Sequence, residues 1–323
     1  MKRIRTIFLV CGLFVGLLLT GPVQAYDLPL GLNLGFTSFL DGGPPAGPGF
    51  YFTQYLQFLT SDELKDDNGN DALPPFADED LNAQVLLSQF IYQSNQDLLL
   101  GGKWGLNFMI PYVSINMRYG VPNTFGFPED NGSGLGDILI GPFLQWDPIM
   151  GEKGPIFMHR IEFQLIFPTG KYDDDRELNP GSNHFSFNPY WAGTLFITPR
   201  LTASTRIHYL WNAENDDPNR LFGPGAKDTQ AGQAIHLNYT MAYEVLPKQL
   251  RVGINGYYLK QISDTQINGN DIDNRREQVF AIGPGLVYHV NQNTHLFFNA
   301  YFESKAENRP EGERYNLRFV HHF

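Results

Sequence analysis

The chain carries a single cysteine, Cys11, among 323 residues. Past the N-terminus it has no apolar run near the roughly 20 residues that a spanning helix needs. The first absence excludes a disulfide framework, and the second excludes a helical membrane protein. Positive charge is scarce too. Lys and Arg total 23 against 34 Asp and Glu, a formal net charge of −11, so a basic nucleic-acid-binding face is excluded. Charged residues make up only 18 % of the chain, while Phe, Tyr and Trp number 26, 16 and 4. That balance argues against disorder.

The first 25 residues read as an address. Lys2, Arg3 and Arg5 precede an apolar stretch from Ile7 to Leu19, and Val23-Gln24-Ala25 supplies a cleavage site. This order is that of a secretory signal peptide. Val10 before Cys11 speaks against lipidation. Cleavage after Ala25 removes three cations, the cysteine and no anion. The exported chain, starting at Tyr26, must therefore be stabilised by a large hydrogen-bonded β-architecture.

Alternation dominates the exported chain. From Ile156 to Phe167, Phe157, Ile161, Phe163, Leu165 and Phe167 share one face, and Arg160, Glu162 and Gln164 share the other. A helix cannot satisfy this period of two. Leu201–Asn212 and Gln233–Val245 repeat the pattern. Weaker versions fall near residues 50–60, 84–94, 106–118, 135–146, 185–197, 250–261, 278–290, 294–305 and 315–323. That makes twelve strands. Connections alternate in length, with long ones near 61–80, 119–134, 168–184, 213–229, 262–277 and 306–314, and short ones such as Thr198-Pro199-Arg200. A soluble sandwich would also alternate, but nothing would sort its loops by end. The pattern predicts an all-β transmembrane antiparallel barrel of about twelve strands, with long outer loops and short periplasmic turns, in the bacterial outer membrane.

Residues 26–49 are too rich in Gly and Pro for a reliable strand, yet Leu28, Leu32, Leu34, Phe36 and Phe39 are too apolar for a solvated tail. A plug at the lumen mouth from which the first strand departs is expected, followed by a barrel over 50–323. The alternative is a segment lying at the membrane interface. At the other end Tyr315, Leu317, Phe319 and Phe323 share one phase, a terminal aromatic strand of the kind that serves as an assembly signal for the barrel-assembly machinery. His321 departs from the apolar character of that phase. Trp104, Trp146 and Trp211 fall near strand ends, where aromatic girdles belong.

The order of short landmarks resembles the meta-pathway phenol-degradation outer-membrane proteins. These landmarks are Pro44-Pro45-Ala46-Gly47-Pro48-Gly49, Leu100-Gly101-Gly102-Lys103-Trp104-Gly105, Gly134-Leu135-Gly136-Asp137-Ile138, Phe167-Pro168-Thr169-Gly170-Lys171-Tyr172 and Glu307-Asn308-Arg309-Pro310-Glu311-Gly312. The resemblance spans roughly residues 42–323. It implies a channel for passive uptake of small hydrophobic or aromatic compounds.

Other chemistry is weakly signalled. His184 and Ser186 could suggest a lipid hydrolase, but no glycine-rich oxyanion turn directly accompanies them, so no catalytic residue is assigned. Asp66-Asp67-Asn68-Gly69-Asn70-Asp71 resembles a calcium loop with a misplaced glycine and with Ala77 where a bidentate Glu belongs. No metal and no cofactor is expected. Acidic loops such as Asp173-Asp174-Asp175 would instead meet lipopolysaccharide through divalent cations, which keeps a structural or surface-interaction barrel as an alternative. The inward phase holds Arg160, Glu162, Arg206, His208, His236 and Glu244. It continues through Arg251, Tyr257, Phe297, Tyr301, Glu303 and Arg318. Both signs of charge are present, consistent with a constricted polar conduit or with ladders that stiffen the barrel.

Overall fold

The computed structural model describes residues 27–29, 32–44, 46–124 and 126–323. The signal sequence expected over 1–25 lies outside the described residues. Strands β1 (Gly49–Leu64), β2 (Asp80–Leu99) and β3 (Gly102–Arg118) form a meander. β4 is Ile138–Gln145. β5 runs Gly154–Glu162 and resumes at Leu165–Phe167, and β6 comprises Ser186–Phe187 and Tyr190–Phe196. β7 (Leu201–Asn212), β8 (Ala234–Leu246), β9 (Leu250–Gln261), β10 (Gln278–His289), β11 (Thr294–Glu307) and β12 (Pro310–His322) complete the circuit. Every neighbour is antiparallel, and β12 returns to β1 with Tyr51 opposite His322 and Leu64 opposite Pro310. The barrel is closed, with twelve strands once the interrupted ones are joined, and no edge is left for aggregation.

The interruptions have a local cause. Pro142 and Pro189 lack the N–H that a central strand donates. The ladder is carried past them by neighbouring groups: Phe163 N donates to Pro142 O at 3.0 Å, Asn188 N to Gln164 O at 2.8 Å and Tyr209 N to Pro189 O at 3.1 Å.

Alternation sorts the side chains by face. Leu86, Phe90, Ile207, Ile254, Phe298 and Leu317 are exposed on the outer wall. Such a belt is far too apolar for water and suits a lipid slab. The inner wall carries buried Gln57, Gln89, Asn107, Asn238, Asn255 and Asn316.

Two connections differ from expectation. The stretch 306–314 is no long loop. β11 and β12 meet at Asn308-Arg309, with Asn308 at φ 54°, and Arg309 and Arg314 beside this turn reach the buried carboxylates of Glu277 and Glu303. The connection between the strands expected near 84–94 and 106–118 shrinks to Leu100-Gly101, because β2 extends to Leu99 and β3 begins at Gly102. The remaining long loops cluster at one end, where Thr229–Gln230, Thr265–Ile267 and Asn270–Ile272 form a small separate sheet.

The described residues of the N-terminal segment run through the lumen from one end to the other. Asp27 and Leu28 donate their N–H groups to Glu277 Oε1 (2.9 and 2.8 Å) at the long-loop end. Midway, Gln57 Nε2 reaches Leu34 O, and Gly35 N reaches Asn238 Oδ1 at 2.9 Å. Near the short-turn end, Gly42 N donates to Thr194 Oγ1 and Pro48 O meets His322 Nε2. It thus extends well beyond the mouth expected for it. An irregular segment cannot satisfy its own backbone, and the amide side chains of the inner wall do so instead. Gly35 is required by position: at φ 80° it lies so close to Tyr301 that a Cβ would come within 2.7 Å of the ring.

Candidate functional site: the lumen

The long-loop end of the lumen is closed by charge pairs around the segment's start. Asp27 takes a two-pronged contact from Arg275 (2.6 and 2.8 Å) and a third hydrogen bond from Thr265. Glu277 meets Arg309 at 3.2 Å. Burial pushes the Glu277 carboxyl up to about 7; the Asp27 charge adds to this, and Arg309 and the two backbone amides pull the other way. Below these pairs Leu28, Leu32 and Leu34 pack on Leu210, Leu259 and Val279.

The middle of the barrel holds six of the residues expected to face inward: Glu162, His208, His236, Tyr257, Tyr301 and Glu303. Tyr257 and Tyr301 are fully buried with rings 5.2 Å apart. The Tyr257 hydroxyl and Arg314 Nε both donate to Glu303 Oε1, at 2.5 and 3.0 Å. Glu162 accepts from the Tyr190 hydroxyl at 2.6 Å and from Asn107 at 3.0 Å. His208 and His236 stack at 4.1 Å, and His236 Nε2 lies 3.0 Å from Asn188 Oδ1.

The short-turn half is looser. Arg206 grips Asp41 of the N-terminal segment through two 2.7 Å bonds. Arg251 pairs with Glu244 at 3.1 Å near the turns. Phe39 packs on Tyr51, Val287 and Phe297. Beside it lies a cavity of about 350 Å³ reaching Pro44, Pro148 and Pro155. Arg160 and Arg318 border it, their guanidinium groups over the rings of Phe143 (4.1 Å) and Phe297 (3.6 Å).

Several functional residues escape a reading by alternation. Arg275, Glu277 and Arg309 fall in stretches that read as loops, and Asp27 and Asp41 in a segment with no period. Arg314 alone had a usable signal, being in phase with Arg318. The terminal-strand residues Tyr315, Leu317 and Phe319 point away from the lumen, and Phe323 is 77 % exposed. His321 stacks on Phe319 (6.3 Å) and meets Phe323 edge to face (4.8 Å), and its Nδ1 lies 3.0 Å from Thr294 Oγ1. Its polar nitrogen is thereby satisfied in an otherwise apolar row.

His184 and Ser186 do approach, at 3.3 Å, but Ser186 is wholly buried and its hydroxyl donates to Asn212 at 2.8 Å. Burial holds the His184 pKa below its ordinary value. The nearby Asp137 is engaged by Gly170 and Ser182. The Asp66 carboxylate caps its own turn, accepting from Asn68 N and Asn70 N at 2.8 Å. Among the described residues no three His, Cys, Asp or Glu side chains are grouped to hold a metal.

The chain is similar to a solved outer-membrane channel from Pseudomonas putida F1. Identity is 19 %, covering 89 % of this chain and 99 % of that one, with a TM-score of 0.71. That likeness is one of fold. Weaker matches include the KdgM porin, solved with disordered oligogalacturonate (11 % identity, 85 % and 99 % covered, TM-score 0.39). Another is a TodX monoaromatic hydrocarbon channel mutant (9 % identity, 86 % and 91 % covered, TM-score 0.46). No curated protein sequence matches the chain. The family model described as "Putative MetA-pathway of phenol degradation" matches residues 61–319, and the chain belongs to that family.

Proposed function

We propose that the protein is an outer-membrane channel for passive uptake of small aromatic or hydrophobic compounds, with residues 27–48 as its gate. The observation that carries this is the lumen itself. A closed barrel with an apolar outside encloses an irregular segment tied by hydrogen bonds from one end to the other, and a ring-lined cavity lies beside it. A barrel stabilised only for its own sake needs no such cavity, and a lipid hydrolase needs a serine that lipid can reach. The long loops face outward, where their acidic residues meet lipopolysaccharide through cations, and the short turns face the periplasm.

The gate implies a route. A solute entering between the loops must displace Leu28, Leu32 and Leu34 from the upper lumen. It then passes the ring-lined middle and rests in the lower cavity before release. Small rigid rings suit this path because they bury apolar area at little conformational cost.

Vesicles with a lipopolysaccharide outer leaflet test the proposal. Phenol and benzyl alcohol should enter protein-containing vesicles faster than protein-free ones, and glucose should not. Equal entry of glucose, or no protein-dependent entry of either aromatic, overturns it.

A further inference from the structure

Arg160 and Arg318 are each only 7 % exposed, and neither forms an ion pair with a carboxylate among the described residues. The Nε–H of each lacks any hydrogen-bond partner. A buried guanidinium is costly unless paired. Stacking on Phe143 and Phe297 offsets part of that cost through the ring faces, but it leaves the Nε edges free. Those edges are the part of arginine that binds a carboxylate in a planar, two-pronged fashion.

The surroundings give the missing partner a shape. The cavity these arginines border is, at about 350 Å³, within the range of small-molecule sites. Its apolar wall is built from Phe39, Tyr51, Ile91, Phe196, Phe297 and Val320. Charge around it does not balance. Asp41 is paired with Arg206 and Glu244 with Arg251, while Glu162, held by the neutral Tyr190 hydroxyl and Asn107 amide, forms no direct ion pair. Three carboxylates thus stand against Arg160, Arg206, Arg251 and Arg318. The remaining polar neighbours include His289 and His295, with their Nδ1 atoms 2.7 Å apart.

We propose that this cavity is a binding site for a monoanionic aromatic acid, with the carboxylate on Arg318 and Arg160 and the ring against Phe39, Tyr51 and Phe297. The inference rests on the channel reading and sharpens it, since it separates aromatic acids from neutral phenols and hydrocarbons at one point in the path. An acid arriving there exchanges water for two guanidinium edges and a ring-lined wall, whereas a neutral ring gains only the wall.

The site is tested by binding, apart from transport. Equilibrium dialysis of the detergent-folded full barrel against labelled benzoate should show saturable binding at one site per chain. Benzyl alcohol, and acetate as a carboxylate without a ring, should each bind about tenfold or more weakly, the loss expected when one of two strong contacts goes. Arg318→Gln and Arg160→Gln should each lower benzoate affinity by a similar factor and leave benzyl alcohol unchanged. Arg318→Lys should recover part of the loss. Retention of the heat-modifiable gel shift shows that each variant folds. Acetate binding as tight as benzoate, or full benzoate binding by both folded Gln variants, overturns the proposal. Vesicles that admit phenol around a barrel that ignores benzoate would sink this site and leave the channel standing. Benzoate binding without any aromatic flux would do the reverse.

Discussion

At the long-loop end of the lumen Arg275 and Arg309 each meet a buried carboxylate; at the short-turn end Arg160 and Arg318 meet none. The upper half is packed, with Leu28, Leu32 and Leu34 seated among Leu210, Leu259 and Val279. The lower half holds a cavity. The same N-terminal segment serves both, locked by its first charged residue above and held by Asp41 below. On the proposed gate and acid site, closure and selectivity divide between the two halves. Closure belongs where charges are consumed internally, and recognition where they are left over.

Removing the segment gives the largest expected effect. Deleting residues 27–43 behind an intact cleavage site should raise single-channel conductance several-fold in planar bilayers, because it vacates the upper half entirely. Unchanged conductance in a folded barrel would mean that the loops, not the segment, close the lumen.

The two anchors should not be equal. Asp27→Ala strands Arg275 in a site where its side chain is 5 % exposed, and breaking such a pair typically costs about 3–5 kcal/mol. Asp41→Ala strands Arg206, itself only 6 % exposed, but beside a cavity of about 350 Å³ through which water can reach it, so its cost should be the smaller. Urea unfolding in detergent or liposomes measures both. Equal losses would erase the contrast between the halves.

The wall offers a third comparison. Ile254 is 50 % exposed on the outer face, and Ile254→Arg should cost roughly 2–4 kcal/mol if it lies near the midplane. Thr53→Glu, which places an anion in the lower cavity beside Arg160 and Arg318, should be far milder for folding. Equal damage would contradict the assignment of faces.

The wall was legible in the sequence because alternation is local. Phe157, Ile161 and Leu165 declare a face within a few residues, and the strand positions follow. The turn at Asn308-Arg309 was not legible, because Glu307, Arg309 and Glu311 look like a solvated loop. Only the fold reveals that Arg309 reaches Glu277, 32 residues away. The gate was half legible. Its composition ruled out both strand and free tail, but its depth depends on Asp27 meeting Arg275 across 248 positions, which no periodicity records. The inward arginines were visible by phase, yet which of them lacked a partner was not, since pairing is settled across strands.

The smallest expected effect is also the one that tests the upper lock most directly. Glu277 holds its proton up to about pH 7, against an ordinary value of 4.5, because burial outweighs Arg309 and the amides of Asp27 and Leu28. When the segment is released, Glu277 meets water and returns toward that ordinary value. The locked state therefore binds more protons than the released state between about pH 4.5 and 7. Locking is strongest below that window and weakens as pH rises through it. Open probability in planar bilayers should rise between about pH 5 and 8 in the unmodified protein. In Glu277→Gln, which cannot ionise but still accepts from both amides, it should stay flat. A slope that survives the substitution would assign the pH response elsewhere. A slope of opposite sign would mean that the ionised Glu277–Arg309 pair is itself what holds the gate shut.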